Sequence, residues 1–405
     1  MTFSLPLPVR QALEALNARG YPAYVVGGCV RDLLRGEAPH DYDICSAALP
    51  QEVHACFAGA RVVDTGARHG TVTVILAGMP LEITTFRSDG DYLDGRHPQS
   101  VAFTRSLEED LKRRDFTVNA MAYHPEAGLV DLYGGQADLA AGVIRCVGDA
   151  PTRLTEDALR ILRALRFAAR LGFVIEQGTA EAMHALCGRL ALVSRERIAE
   201  ELVQAVACAA APEVLGAFPD VFAAALPDHP PAALALGLAA LRHLPPGDAV
   251  LRMAALLAPC PEAAEACLFS LRPAKAFHQQ VLALSQRASA PFPPEETAVL
   301  LAELGESQFS RLVQLQAALG VLSATEAADR AARMQAALDA RLPLALRDLP
   351  ITGEDLAALG LRGPQIGQAL QHLHRLVLTG ALPCDRKALL AEAERGRETG
   401  DTLLF

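Results

Sequence analysis

Tryptophan is missing from all 405 residues, and lysine occurs only as Lys112, Lys275 and Lys387. Positive charge is therefore almost entirely guanidinium, which suits two-pronged contacts with phosphates and base edges, although a composition bias would give the same count. No apolar run reaches the roughly 18 residues of a membrane span. The first ten residues, MTFSLPLPVR, lack the charged-then-apolar layout of a secretory signal. Nine cysteines are scattered without a Cys-x-x-Cys pair, so neither a disulfide framework nor a zinc site is indicated. A Gly-x-x-x-x-Gly-Lys phosphate loop is also missing, which disfavours a P-loop ATPase. These absences point to a reduced cytoplasmic protein with no membrane partner; they leave the oligomeric state open. A net charge of −10 argues against a generic nucleic-acid binder. The distribution weakens that objection, because arginines crowd residues 96–197 while residues 209–251 hold only Arg242.

What is present is organised around residues 24–46. An apolar run, Tyr24 to Val26, leads into Gly27 and Gly28 and then a helical pattern beginning near Val30. The two glycines let backbone approach a phosphate, with helix N–H groups and Arg31 beside it. A second extended stretch carries Asp41 and Asp43, whose side chains would share one face of a strand. Two carboxylates on one face repel unless a cation sits between them, and hard divalent cations take oxygen ligands. Glu82, in the strand-like Leu81 to Phe86, is open to two readings: a third carboxylate on that face, or an exposed strand glutamate. Residues 87–98, polar with two glycines and a proline, read as a mobile loop before a strand at Val101 to Phe103.

Further on, Leu111-Lys-Arg-Arg-Asp-Phe-Thr-Val-Asn-Ala120 places three cations before an apolar segment, as a solvated turn or a phosphate site would. From about residue 155 the periodicity turns helical to the end. Residues 155–172 read as one helix, N-capped by Thr155 and ended by Gly172. Its apolar face is Ile161, Leu162, Leu165, Ala168 and Ala169; Arg160, Arg163, Arg166 and Arg170 lie opposite. Four like charges at helical spacing call for an anionic partner. Asp157 and Arg160, one turn apart, admit the plain reading of an i,i+3 salt bridge.

Gly27-Gly-Cys-Val-Arg-Asp32, then Leu-Leu-Arg-Gly and Asp41-Tyr-Asp-Ile44, resemble the signature of the DNA polymerase beta-like nucleotidyltransferases. More closely, the string resembles the bacterial class II tRNA nucleotidyltransferase and poly(A) polymerase family. The Arg113-Arg-Asp-Phe-Thr117 string is similar to a family motif and implies that Arg114, with Asp115, touches the nucleotide. Glu156-Asp-x-x-Arg160, followed by Leu162-Arg-Ala-Leu-Arg-Phe-Ala168, resembles the family's nucleotide-selecting motif. That resemblance implies base recognition by Asp157 and Arg160, with Arg163 and Arg166 near the nucleotide or its phosphates. The chemistry is consistent: a carboxylate accepts from the amino group of cytosine or adenine, while uracil and guanine present an oxygen there. A buried pair of acceptors costs about 1–3 kcal/mol. Val193-Ser-Arg-Glu-Arg-Ile198 resembles the next motif, with Ser194 as a cap and Glu196 or Arg197 bracing the helix.

The resemblance implies an α/β nucleotidyltransferase head at 1–142, with Gly28 and Arg31 at the phosphates and Asp41 and Asp43 as catalytic metal ligands. All-α neck (143–204), body (205–300) and tail (301–405) domains would follow, and the tail would grip the tRNA elbow. It further implies addition of CCA to tRNA from CTP and ATP with Mg²⁺. A poly(A) polymerase of the same family and an A-only enzyme are the alternatives. Members adding only CC lack the loop that residues 87–98 keep. A non-catalytic RNA-binding relative would have lost a metal carboxylate or the Asp157/Arg160 pair, and neither is lost.

Overall fold

The computed structural model describes residues 2–89 and 101–399. Contacts gather the chain into two compact units, one of residues 1–231 with 269–273, the other of 232–268 with 274–405. No helix among the described residues is long and apolar enough to cross a membrane.

The first unit opens with α1 (Leu7–Asn17). Its Val9, Ala12, Leu13 and Leu16 repeat at helical spacing and are all buried. Strand β1 (Ala23–Val26) runs into α2 (Gly28–Leu34), and β2 (Asp43–Ser46) follows, then α3 (Pro50–Cys56). Strands β3 (Arg61–Gly66), β4 (Thr71–Leu76) and β5 (Met79–Thr85) form a meander. The short β6 (Arg87–Asp89) and β7 (Val101–Phe103) pair antiparallel, Arg87 opposite Phe103. The start of the expected 87–98 loop is thus a strand, because a partner lies within reach; residues 90–98 fall outside the described residues. Helix α4 (Leu107–Lys112) is capped by Ser106 and leads to a short turn at Thr117–Asn119. Strands β8 (Met121–His124) and β9 (Gly128–Asp131) and helix α5 (Gly135–Ala141) complete the α/β part.

Seven strands make one sheet in the order β3-β4-β5-β2-β1-β8-β9. Only β2 and β5 pair parallel within it, and that register sets Asp43 beside Glu82. Both sheet faces are covered. Val25, Ile44, Val72, Leu81, Ile83 and Tyr123 pack with α1 on one side. Val26, Cys45, Phe86, Leu111 and Ala122 pack on the other. Period-two alternation sends Val25 and Val26, or Ile44 and Cys45, to opposite cores.

The remainder of this unit is helical apart from a two-residue parallel pair, β10 (Val143–Ile144) with β11 (Val174–Ile175). The single helix expected over 155–172 is two. Helix α6 (Ala150–Glu156) starts at Asp149, whose side chain caps it, and α7 (Leu159–Leu171) follows a break. At the break Asp157 is extended, with φ −140° and ψ 103°, and its carboxylate accepts the N–H of Leu159 at 3.1 Å. An aspartate that bonds its own backbone two residues on competes with the helix ladder. Thr155 is therefore a last-turn residue and caps nothing. Helix α8 (Gln177–Leu186) packs against α6 and α9 (Arg195–Ala207) against α7, and Ser194 holds the α9 N-cap position without a side-chain cap bond.

The second unit is all helical among its described residues. One of its cores is built on Leu356, Leu373 and Leu389, from helices Gly353–Ala358, Pro364–Leu378 and Arg386–Thr399. Thr352 and Asp355 form a reciprocal capping box at the first of these. Asp355 also pairs with Arg386, whose hydrogen bond helps hold its carboxyl down at about 2.

Candidate active site

The turn after β1 carries Gly27 with φ 78°, a left-handed value that favours glycine. A Cβ there would stand 3.1 Å from Nη1 of Arg114. Gly28 opens α2, two residues before the start near Val30 expected from the sequence pattern. Arg31, expected at a phosphate, is buried. Its guanidinium donates to Asp32 at 2.9 and 2.8 Å and to Oδ1 of Asn119 at 2.7 Å. That geometry fastens α2 to the 117–119 turn.

Asp43 begins β2, whereas Asp41 precedes the strand by two residues. The shared-strand expectation for the pair is corrected accordingly, since pairing with β1 and β5 starts only at residues 43–44. The carboxylates still feel each other. Burial, the charge of Asp41 and the charge of Glu82 push the Asp43 carboxyl up to about 6, against a lowering contribution from Arg114. Water nevertheless reaches Asp43; a group wetted on one side and surrounded by protein on the others meets both conditions. Glu82 is exposed on β5 at the position paired with Asp43.

Clustered hard-oxygen donors with an elevated carboxyl fit a small divalent cation, which would relieve the repulsion. Among the described residues no three His, Cys, Asp or Glu side chains converge to hold a metal unaided. Mg²⁺ commonly takes one or two carboxylates together with substrate phosphates, so a closed protein cage is not required.

Beyond Arg114 lies a cavity of about 270 Å³ lined by Arg113, Arg114, Asp115, Asp157, Arg160, Arg163 and Arg197. Four residues singled out from the sequence as nucleotide-binding, Arg114, Asp157, Arg160 and Arg163, converge here from three elements. The anionic partners that the arginine row of α7 calls for include carboxylates of the chain itself. Arg160 donates to Glu156 at 2.7 Å and to the carbonyls of Arg153 and Arg113 at 2.9 and 3.0 Å. Arg163 donates to Asp115 at 2.9 and 2.6 Å. Arg166 is buried against Glu201 at 2.5 Å and stacks on Phe167. Carboxylates from other elements supply the charge that sequence inspection of one helix missed.

Asp157 and Arg160 do not pair with each other as an i,i+3 salt bridge. Asp157 takes Arg197, at 2.8 Å, so the bracing role expected of α9 falls on Asp157 itself. Burial would raise the Asp115 carboxyl, but Arg163 and the N–H of Phe116 hold it down at about 2. Its Oδ1 also accepts from Asn119 at 3.3 Å, so a continuous chain links Arg31, Asn119, Asp115 and Arg163. Sequence reading also missed Asp110, which is fully buried beneath Arg113 and Arg114. The i,i+3 and i,i+4 spacing to those arginines was the available signal.

Residues 23–145 match the Poly A polymerase head domain, and 172–215 match the probable RNA and SrmB-binding site of polymerase A. A CCA-adding enzyme of Lactobacillus delbrueckii subsp. bulgaricus is 36% identical over 402 residues, 96% of either chain. The chain belongs to the CCA-adding enzyme family. A second CCA-adding enzyme, from Geobacillus thermodenitrificans, is 49% identical over 211 residues, so the match spans about half of that relative, 52%. The crystal structure of the Bacillus stearothermophilus CCA-adding enzyme in complex with CTP aligns with a TM-score of 0.81 at 28% identity, covering 98% of this chain and 99% of that one. An α/β head thus precedes a helical remainder.

Proposed function

We propose that the chain is a template-independent tRNA nucleotidyltransferase that builds or repairs the 3′-terminal CCA of tRNA from CTP and ATP, releasing pyrophosphate. The observation that carries this reading is the position of Arg114, which touches both halves of the site. It stands beside Gly27 and acts on the charge of Asp43, and it also lines the arginine cavity that holds Asp157 and Arg160. A triphosphate at the glycine turn would therefore have its base within the cavity.

Asp41 and Asp43, with Glu82 as a neighbouring carboxylate, would hold Mg²⁺. When bound, the metal supplies charge neutralisation at the triphosphate and lowers the pKa of the attacking 3′ hydroxyl. The chain's own contribution is positioning and electrostatics. Gly27 and Gly28 give the phosphates backbone access and Arg114 takes their charge. Arg31 and Asn119 keep that turn in place. Asp157, oriented by Arg197, accepts from the amino group of cytosine or adenine, and Arg160 donates to the adjacent ring nitrogen. Arg163 and Arg166 keep the helix anchored through Asp115 and Glu201. The helical second unit would hold the tRNA. We assign the reaction to the cytoplasm, in keeping with nine free cysteine thiols.

The test is extension of tRNA ending at the discriminator base, with CTP, ATP and Mg²⁺. Addition of C, C and A in order is expected. Long A tails on arbitrary RNA would make it a poly(A) polymerase, and A added only to tRNA ending in CC would make it an A-only enzyme.

A further inference from the structure

We propose that Asp110 is the positioning residue that aims Arg114, and with it Arg113, at the incoming nucleoside triphosphate, so that a carboxylate touching no ligand sets nucleotide affinity. The inference rests on the nucleotide reading of the arginine cavity given above.

Asp110 sits on α4 and is 0% exposed. Its Oδ1 accepts from Nε and Nη2 of Arg113, at 3.0 and 2.7 Å, and from the backbone N–H of Arg87 at 3.4 Å. Its Oδ2 accepts from Nη2 of Arg114 at 3.2 Å. Burial acts to raise its carboxyl, but the two guanidiniums outweigh that and hold it below the usual carboxylate range. It therefore carries its negative charge at neutral pH.

A side chain kept only for packing would be apolar here, as the neighbouring buried Leu111 is. A lone buried carboxylate is costly unless its partners are worth holding. Two guanidiniums share this one charge, which leaves a positive excess facing the cavity they line. Arg114 is held by one end only. Nη2 is tied to Asp110 and Nη1 lies against Gly27, while Nε is buried with no hydrogen-bond partner among the described residues. The Arg114 side chain keeps 20% of its surface exposed, and a phosphate oxygen is the acceptor that could meet this exposed part and also neutralise the excess charge.

The experiment uses the full-length chain and steady-state extension of tRNA lacking its CCA end. For Asp110→Asn, KM for both CTP and ATP should rise about tenfold or more. KM for tRNA and the preference for CTP over UTP should stay within about threefold, because Asp157 and Arg160 keep their partners. Adding Asp110→Asn to the combined Arg113→Ala and Arg114→Ala variant should cost little beyond that variant alone, since Asp110 acts through the two arginines. An unchanged nucleotide KM, or losses that multiply in the triple variant, would overturn the assignment. Should Asp110→Asn fail to fold, Asp110→Glu keeps the charge but displaces it; a raised nucleotide KM supports the proposal and a wild-type value refutes it. Failure of the underlying nucleotide reading would show separately, as a wild-type chain that neither binds CTP nor extends tRNA.

Discussion

Asp43 carries its charge against resistance, and that resistance can be read. Its carboxyl titrates near 6 in the folded chain against about 3.9 for an unfolded aspartate. Between those values the folded state binds the extra proton, so stability falls as pH rises through 6 and the penalty is fully present above it. Asp43→Asn should therefore raise Tm in metal-free buffer at pH 8, by about 2–4 °C, and leave it nearly unchanged at pH 4. The same variant should lose more than about a hundredfold in nucleotide incorporation, beyond what an outer-sphere partner costs. A Tm that falls at pH 8 would mean the three carboxylates do not repel. Asp115 behaves oppositely. Its carboxyl, held at about 2, contributes stability that is present above about pH 4 and lost as pH falls through 2. Asp115→Asn should cost about 2 kcal/mol in denaturant unfolding at pH 7. That is less than the 3–5 kcal/mol of a fully buried pair, because Arg163 is 34% exposed. The cost should be the same at pH 5 and pH 9.

Among the elements, the break between α6 and α7 sets Asp157 at the wall of the cavity. Asp157 does three things there. It accepts the N–H of Leu159, it takes Arg197 from α9, and it faces the cavity. Asp157→Ala removes all three, so single-nucleotide incorporation should lose CTP-over-UTP discrimination by about 5–150-fold, the equivalent of 1–3 kcal/mol. Arg197→Met should lose a smaller part of it, as the carboxylate remains but is no longer aimed; equal selectivity in both variants and the wild type would remove base reading from this turn. This element also marks where sequence reading stopped. Apolar residues recur at helical spacing through the break, so nothing in the local pattern distinguishes one helix from two. The deciding bond comes from the aspartate's own side chain, and its second partner lies forty positions on. The counter-charges of Arg163 and Arg166, on Asp115 and Glu201, are likewise remote in sequence. By contrast, the glycine turn, Asp43 and the strand bearing Glu82 were legible, because strand period and turn chemistry are local. Asp41 was misplaced only by where the ladder begins.

For the molecule as a whole, the question is whether the first unit depends on the helical second one for its cavity. Every residue named in the arginine-lined cavity belongs to the first unit, while the second has cores of its own. A glycine in the second unit separates the two roles. A Cβ on Gly237, in helix Pro231–Leu241, would stand 2.3 Å from the carbonyl oxygen of Leu256 and 2.7 Å from its Cα. Helix propensity favours alanine there by about 1 kcal/mol. Backbone cannot swing aside as a side chain can, however, and forcing two packed helices apart costs typically 1–3 kcal/mol or more. The clash should win. Gly237→Ala should lower the unfolding midpoint of the second unit and raise KM for tRNA. CTP affinity, titrated in the absence of tRNA, should stay within about twofold. A parallel loss of CTP affinity would show that the units fold as one cooperative body and that the cavity owes its shape to both. Retained CTP binding beside weakened tRNA use would instead show a nucleotide site complete within the first unit, with the helices serving to bring it the RNA.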